Sequence, residues 1–112
     1  MKVTNENHEL QGNLIKSDDT YKIIDNTILG CMAISSTDLY PGKNTRGHSH
    51  IGQEEVYMFV NGTGYMTIGD EDVEVSAGSI VAIPDGAFHK VYNTDTDDVL
   101  RFICVFEGNR NH

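Results

Sequence analysis

Four side chains in the middle of the sequence could together bind one metal ion. His48 and His50 lie one residue apart, a carboxylate follows at Glu55, and a third imidazole follows at His89. Imidazole nitrogens and one carboxylate oxygen suit divalent first-row transition metals, and four protein ligands leave two positions of a six-coordinate ion open. Water or a substrate could take those positions, so the four residues indicate a site for metal-assisted chemistry.

These side chains can meet only if strands position them. Alternate residues of a strand share a face, so His48 and His50 are expected to project to the same side. The apolar run that begins at Glu55 predicts a second strand, in which Tyr57 lies on the same face as Glu55. His89 lies on a third predicted strand, just after a Pro-Asp-Gly turn.

Short runs of β-forming residues recur between turn signals along the whole chain. Asn61-Gly62 predicts a tight hairpin, since both central residues of the favoured turn need positive φ, and Gly69-Asp70 predicts another. Many short strands at regular spacing predict an all-β fold, an antiparallel double-sheet sandwich or jelly-roll barrel. The predicted strands cover residues 21–24, 27–34, 55–60, 64–68, 73–75, 79–83, 88–92 and 99–106.

Length and charge limit the function classes. A chain of 112 residues forms one domain. We place this domain at residues 12–107, between a flexible N-terminal segment, 1–11, and a flexible tail, 108–112. No apolar run approaches a membrane span and the start lacks a secretory signal pattern, so a cytoplasmic protein without a membrane partner is expected. The net charge of −9 argues against nucleic acid as a partner.

The remaining candidate ligands fit no metal-site spacing. Cys31 and Cys104 form no CxxC pair and lie in apolar runs, so we expect buried free thiols. His8 and His112 lie in the predicted flexible ends and are interpreted as bystanders.

Two longer motifs resemble those of the cupin family. Residues 42–62 read Gly-x5-His-x-His-x4-Glu-x6-Gly, and residues 78–93 read Gly-x5-Pro-x-Gly-x2-His-x3-Asn. Every fixed position of the two cupin motifs is filled in order and spacing, over about half of the chain. The resemblance implies a cupin jelly-roll barrel and, as in other small cupins, a homodimer formed through exposed sheet edges.

The resemblance also implies that His48, His50, Glu55 and His89 are the metal ligands. Glu54 competes with Glu55, because the family allows three or four residues after the second histidine. We choose Glu55, which stands at the motif's spacing before Gly62 and on the face of Tyr57. The cofactor is expected to be one divalent transition metal, with Fe, Mn, Ni, Co, Cu and Zn all open.

The expected activity is metal-dependent chemistry on a small, oxygen-rich metabolite. We favour an enzyme of the isomerase or lyase type, in which the metal acidifies a C–H beside a carbonyl. Tyr57 could transfer the proton, and the alternative is that it only packs in the core, since tyrosine is also a common strand residue. Arg46, two residues before His48, could pair with a substrate carboxylate or phosphate at the mouth of the barrel. An Fe(II)-dependent dioxygenase and a non-catalytic ligand-binding or sensing module remain alternatives. The expected apolar pocket walls are Tyr57, Phe59, Val81, Ile83, Phe102 and Phe106.

Overall fold

The computed structural model describes residues 1–108 and residue 110. Within them it contains nine strands and no helix. The strands are β1 (Asn13–Ser17), β2 (Tyr21–Asn26), β3 (Met32–Leu39), β4 (Glu55–Asn61), β5 (Thr63–Ile68), β6 (Glu71–Ser76), β7 (Ile80–Ile83), β8 (His89–Asn93) and β9 (Leu100–Glu107).

The strands form two antiparallel sheets. The larger sheet has the order β1-β2-β3-β9-β4-β7, and the smaller has the order β6-β5-β8. One cluster of buried side chains includes Phe59 and Leu100 from the larger sheet and Met66 and Val91 from the smaller, so the core lies between the sheets. The predicted all-β jelly-roll sandwich is therefore confirmed.

Strand β4 joins the core to the predicted site. Its burial alternates from residue to residue, so that Glu55, Tyr57 and Phe59 point inward while Val56 and Met58 are exposed. Because residues at every second position share a face, one side of this strand runs from a carboxylate through a phenol into the apolar core. The same face of β4 therefore contributes a carboxylate and a phenol to the predicted site and an apolar side chain to the core.

The predicted hairpin at Asn61-Gly62 is wrong. Strand β4 pairs with β7 and β9, whereas β5 pairs with β6 and β8, so the chain crosses between sheets at Gly62. Gly62 has φ 90°, and a Cβ there would lie 2.5 Å from the Val99 carbonyl oxygen. The Asn-Gly pair correctly predicts a sharp turn with positive φ at the glycine. It does not predict whether the two strands that flank the turn pair with each other.

The second predicted hairpin is present. Ile68 pairs with Glu71, which leaves Gly69 and Asp70 as a two-residue loop between β5 and β6. Gly69 has φ 60°, and Asp70 has no positive φ. Positive φ at the first loop position alone is typical of the type II′ turn.

The first part of the chain differs most from the prediction. Strand β1 was not predicted, because all five of its residues are exposed and its pattern shows no alternation. Strand β3 lies five residues further along than the predicted run 27–34. It contains buried polar residues, Ser35, Ser36 and Thr37, whose composition suggests a loop. Cys31 therefore lies before the strand and is exposed, contrary to expectation, whereas Cys104 is a buried free thiol as predicted.

The N-terminal segment contacts the larger sheet. Thr4 and Leu10 form an isolated β-bridge, Leu10 is buried, and Arg101 Nη1 donates a hydrogen bond of 2.7 Å to the Asn7 carbonyl. The predicted flexibility of residues 1–11 stays a prediction. Of the predicted flexible tail, residues 109, 111 and 112 lie outside the described residues. In the described part of the chain, no helix has the length and apolar character needed to cross a membrane.

The outer face of the larger sheet carries exposed apolar side chains. Met58 and Ile80 are register partners on β4 and β7 and are 41% and 67% exposed, and Val56 beside them is 44% exposed. Strands β1 and β7 are the edges of this sheet. The homodimer through exposed sheet edges stays a prediction.

Candidate metal centre

Three histidines meet at one end of the barrel because two backbone segments pair there. His48 and His89 form an isolated antiparallel bridge, in which His48 N donates to His89 O at 3.1 Å and His89 N donates to His48 O at 3.0 Å. His50 lies two residues further along the extended segment, and its ring centroid is 4.6 Å from that of His48. One ring nitrogen from each histidine lies within 4.8 Å of the others, so the trio could hold a metal ion.

The turn before β8 fixes the position of His50. Gly86 N donates to the His50 carbonyl at 3.0 Å, and Asp85 Oδ1 accepts from Gly52 N at 2.7 Å. This Pro-Asp-Gly turn therefore holds the chain on both sides of Ile51, itself fully turned to solvent at 90% exposure. Gly86, a turn residue of the second cupin motif, thus holds the backbone of His50, a residue of the first motif.

Glu55 completes the cluster. Its side chain is buried, with Oε1 3.5 Å from His50 Nε2 and Oε2 4.0 Å from His89 Nε2. Glu54, the competing residue, is exposed and points away. The structure therefore brings the four predicted side chains together, and the expected strand parity selects Glu55. The ligand role of the four residues stays a prediction.

The atoms at the centre of this cluster fit a cation. Among the described residues, Glu55 Oε1 and His89 Nε2 are buried without a hydrogen-bond partner. Buried polar atoms are nearly always paired, so such atoms facing each other indicate a site for a ligand. His89 Nδ1 lies 3.0 Å from the Ala87 carbonyl, which can only accept a hydrogen bond. Because Nδ1 must then carry the proton of the neutral ring, the lone pair of Nε2 points into the cluster, as in a metal-ligating histidine.

The electrostatics of the cluster favour the metal-binding form of His48, whereas the Glu55 carboxylate needs a positive charge beside it. Burial, followed by the neighbouring His50 and His89, lowers the pKa of His48 from 6.5 to about 4. Its imidazole is therefore neutral at physiological pH. Burial raises the pKa of the Glu55 carboxyl, and nearby His89 and Arg110 partly oppose that shift. A cation in the cluster would remove the electrostatic cost of burying this carboxylate.

A small pocket opens beside the cluster. It has a volume of about 100 Å³ and is reached by His48, Glu55 and His89. Of the six expected apolar wall residues, Tyr57, Phe102 and Phe106 line it, whereas Phe59, Val81 and Ile83 lie elsewhere. Phe59 is fully buried in the core between the sheets. Strand parity alone could not say which of the six residues face the pocket, and the structure places three of them there.

Tyr57 lies on the pocket wall between the cluster and the core. Its ring stacks on Phe102 with centroids 5.4 Å apart and meets the His89 ring edge-on at 5.8 Å. Cys104 is its register partner on β9. Burial, followed by the proximity of Cys104 and Glu55, raises the pKa of the Tyr57 hydroxyl well above its usual range. The phenol therefore stays protonated, and its hydroxyl interacts with the Glu55 carboxyl and the Cys104 thiol.

Arg46 is exposed and lines the outer part of the same pocket. Gly47, which separates it from His48, has φ 80° and packs against Phe88, where a Cβ would lie 2.7 Å from the ring. The glycine therefore lets this segment turn closely against β8. The predicted position of Arg46 at the mouth of the barrel agrees with this placement, and its functional role stays a prediction.

Sequence reasoning missed a second polar group on the pocket wall. Asp25 on β2 is buried, and Arg110 near the end of the chain forms two hydrogen bonds of 2.6 Å with its carboxylate. Arg110 Nη2 also donates to Ser35 Oγ at 2.8 Å. The only signal in the sequence was the polar run in β3, for which no strand was predicted. Among the described residues His8 takes no part in the cluster, and His112 lies outside them.

The chain belongs to the cupin family. Residues 36–106, more than half of the sequence, match the family described as the cupin domain. An uncharacterised protein of Streptomyces coelicolor is 41% identical over 54 residues, which cover 48% of this chain and 50% of the relative. The chain spans about half the length of the curated relatives it matches.

Solved structures show the same fold. KdgF from Halomonas sp. superposes with a TM-score of 0.78 at 13% identity, covering 99% of this chain and 96% of the other. A predicted oxalate decarboxylase from Thermotoga maritima superposes with a TM-score of 0.69 at 23% identity, covering 78% and 79% of the two chains. At these identities the likeness concerns the fold alone, and the activity must be argued from the site itself.

Proposed function

We propose that this chain is a metal-dependent enzyme that moves a proton on a small, oxygen-rich metabolite, in an isomerase or lyase reaction. The observation that carries this proposal is the buried cluster of three histidines and Glu55, which opens onto a pocket containing the Tyr57 hydroxyl. A metal centre, a proton-bearing group and a small enclosed volume together support acid–base chemistry more than simple storage of an ion.

The four residues of the cluster would hold the ion. A divalent transition metal bound by His48, His50, Glu55 and His89 would supply a Lewis acid that polarises a substrate oxygen. His89 is oriented for this role by its Nδ1 contact with the Ala87 carbonyl. The metal is proposed to be Fe, Mn, Ni, Co, Cu or Zn, since this donor set suits all of them.

Tyr57 would supply the proton. Its hydroxyl is buried beside Glu55 and Cys104, and its ring is held by Phe102, so Oη has little freedom to move. A phenol in this position can donate its proton to an oxygen of a bound substrate, and the phenolate so formed can take the proton from the neighbouring carbon, which restores the hydroxyl. Phe102 and Phe106 form the apolar wall that keeps bulk water from the reacting group.

Turnover without oxygen tests the reaction class. Protein loaded with Mn, Ni or Zn and mixed with small hydroxy acids and sugars under nitrogen is expected to convert at least one of them. Product analysis by NMR in D2O would show deuterium at a carbon next to a carbonyl, the mark of proton transfer. Conversion that requires both Fe(II) and oxygen would instead establish the dioxygenase, and metal-loaded protein without conversion would favour a binding module.

The Tyr57→Phe variant tests the proton donor. It removes one hydroxyl, keeps the ring that stacks on Phe102, and should leave metal content unchanged. We expect kcat to fall by roughly 100-fold or more, the usual contribution of a positioned acid or base. Tyr92→Phe is the matched control, because that ring stacks on Tyr65 away from the pocket. Equal turnover of the two variants would assign Tyr57 to packing alone.

A further inference from the structure

Basic residues outnumber acidic residues in the lining of the pocket, whereas acidic residues predominate in the chain as a whole. The chain has 17 acidic and 8 basic residues, about two acids for each base. Three of those basic residues, Lys16, Arg46 and Arg110, line the pocket, and Glu55 is the single carboxylate residue among its described lining. Glu55 is already committed to the histidine cluster. A concentration of positive charge in so acidic a protein raises the local concentration of anions.

The three cations differ in how far their charge is compensated. Arg110 is neutralised by Asp25, which accepts two of its hydrogen bonds. Lys16 Nζ lies 3.4 Å from the hydroxyl of Tyr21 and 5.6 Å from the centroid of its ring, and it forms no ion pair within the described ranges, although its charge acts on the nearby Asp18 carboxyl. Arg46 forms no ion pair with any residue in the described ranges. At the mouth of the pocket Arg46 is therefore the less compensated of these two charges, and Lys16 shares its charge with Asp18.

Cations elsewhere on the larger sheet behave differently. Lys22 pairs with Glu9 at 3.7 Å, and Arg101 pairs with Asp38 on the neighbouring strand. Three other lysines, Lys2, Lys43 and Lys90, form no ion pair within the described ranges either. What distinguishes Arg46 and Lys16 is their position on the lining of the pocket, beside the cluster where a substrate would bind.

We propose that the substrate is a small organic carboxylate, whose anionic group is held by Arg46 with support from Lys16. This inference rests on the proposed function, because the carboxylate is placed next to the metal centre. A guanidinium presents paired donors that match the two oxygens of a carboxylate, and its charge strengthens both hydrogen bonds. The volume of about 100 Å³ is large enough for a small molecule of this kind.

Binding of two matched probes tests the proposal. Glycolate and glycolamide have the same shape and differ in one charge, and their dissociation constants can be measured by calorimetry at low salt. The parent protein should bind glycolate more tightly than glycolamide. Arg46→Gln should weaken glycolate binding by about tenfold and glycolamide binding little, since one charge-assisted contact is lost. Lys43→Gln is the control, an exposed cation of the same segment that does not line the pocket.

The outcomes separate this proposal from the metal function. A bound metal ion would itself favour glycolate over glycolamide. The comparison of glycolate binding by Arg46→Gln and by Lys43→Gln therefore decides whether Arg46 holds the carboxylate. If metal is present by elemental analysis and the two variants bind glycolate equally, the carboxylate assignment is overturned while the metal function stands. If no metal is present, a glycolate preference that disappears in Arg46→Gln still supports it. Inorganic phosphate binding as tightly as glycolate would overturn the choice of a carboxylate.

Discussion

The His48→Ala/His50→Ala variant is expected to purify with less than about a tenth of the metal found in the parent protein, which should hold about one ion per chain. The double substitution removes two of the three nitrogens that lie within 4.8 Å of each other. Loss of a residue that only orients a ligand costs roughly 10–100-fold in metal affinity, so loss of two direct ligands should cost more. Elemental analysis of protein purified without added metal measures the result.

The control is His8→Asn. It removes an exposed imidazole outside the cluster, and asparagine tolerates the positive φ of 60° at that position. Its metal content should equal that of the parent. The double variant should still melt cooperatively, because the main core lies between the sheets and does not include these histidines. Full metal occupancy in a folded double variant would show that the ion binds elsewhere.

The Arg110→Ala variant should lose about 3 kcal/mol of unfolding free energy, the lower end of the range for breaking a buried ion pair. Asp25 is 2% exposed, and Arg110 provides both hydrogen bonds of 2.6 Å to its carboxylate oxygens. Without the guanidinium, a buried negative charge has lost its counter-charge. The loss is placed at the lower end because the Arg110 side chain is itself 19% exposed, so the ion pair is partly screened by water. Urea unfolding followed by fluorescence or circular dichroism measures it.

Arg101→Ala is the matched comparison. Arg101 also pairs with an aspartate on a neighbouring strand, but both side chains are more than a fifth exposed. Exposed ion pairs contribute about 0–1 kcal/mol, so this variant should be clearly more stable than Arg110→Ala. Asp25→Asn in the Arg110→Ala background should recover part of the loss, since it removes the unpaired charge. Equal losses in the two arginine variants would show that burial of the Asp25 carboxylate is not the cause.

Local patterns predicted much of the fold. Alternation in β4 and the Gly69-Asp70 loop depend on residues close in sequence, where parity and turn chemistry are reliable. Strand β1 is exposed along its whole length, so hydrophobic periodicity had nothing to detect. The Asn61-Gly62 turn was located correctly, but strand pairing across it depends on β9 and β7, which lie far along the chain.

The candidate site was predicted for a different reason. His48, His50 and His89 occupy the motif positions of the family to which the chain belongs, and Glu55 follows from strand parity. The contact between Asp25 and Arg110 spans 85 residues and has no motif. Its partners become neighbours only after β2 and the end of the chain are placed against β3. An ion pair between residues so far apart in sequence depends on the tertiary structure, and the spacing of residues along the chain does not predict it.

The backbone bridge between His48 and His89 has a consequence for the entropy of metal binding. Two main-chain hydrogen bonds, of 3.1 and 3.0 Å, hold these residues opposite each other. Fixing the backbone of a residue costs about 1–2 kcal/mol, and folding of the barrel has already met this cost for both histidines. An ion that enters the cluster would need to order side chains only. Such preorganisation leaves more of the coordination energy available for affinity and for discrimination between metals.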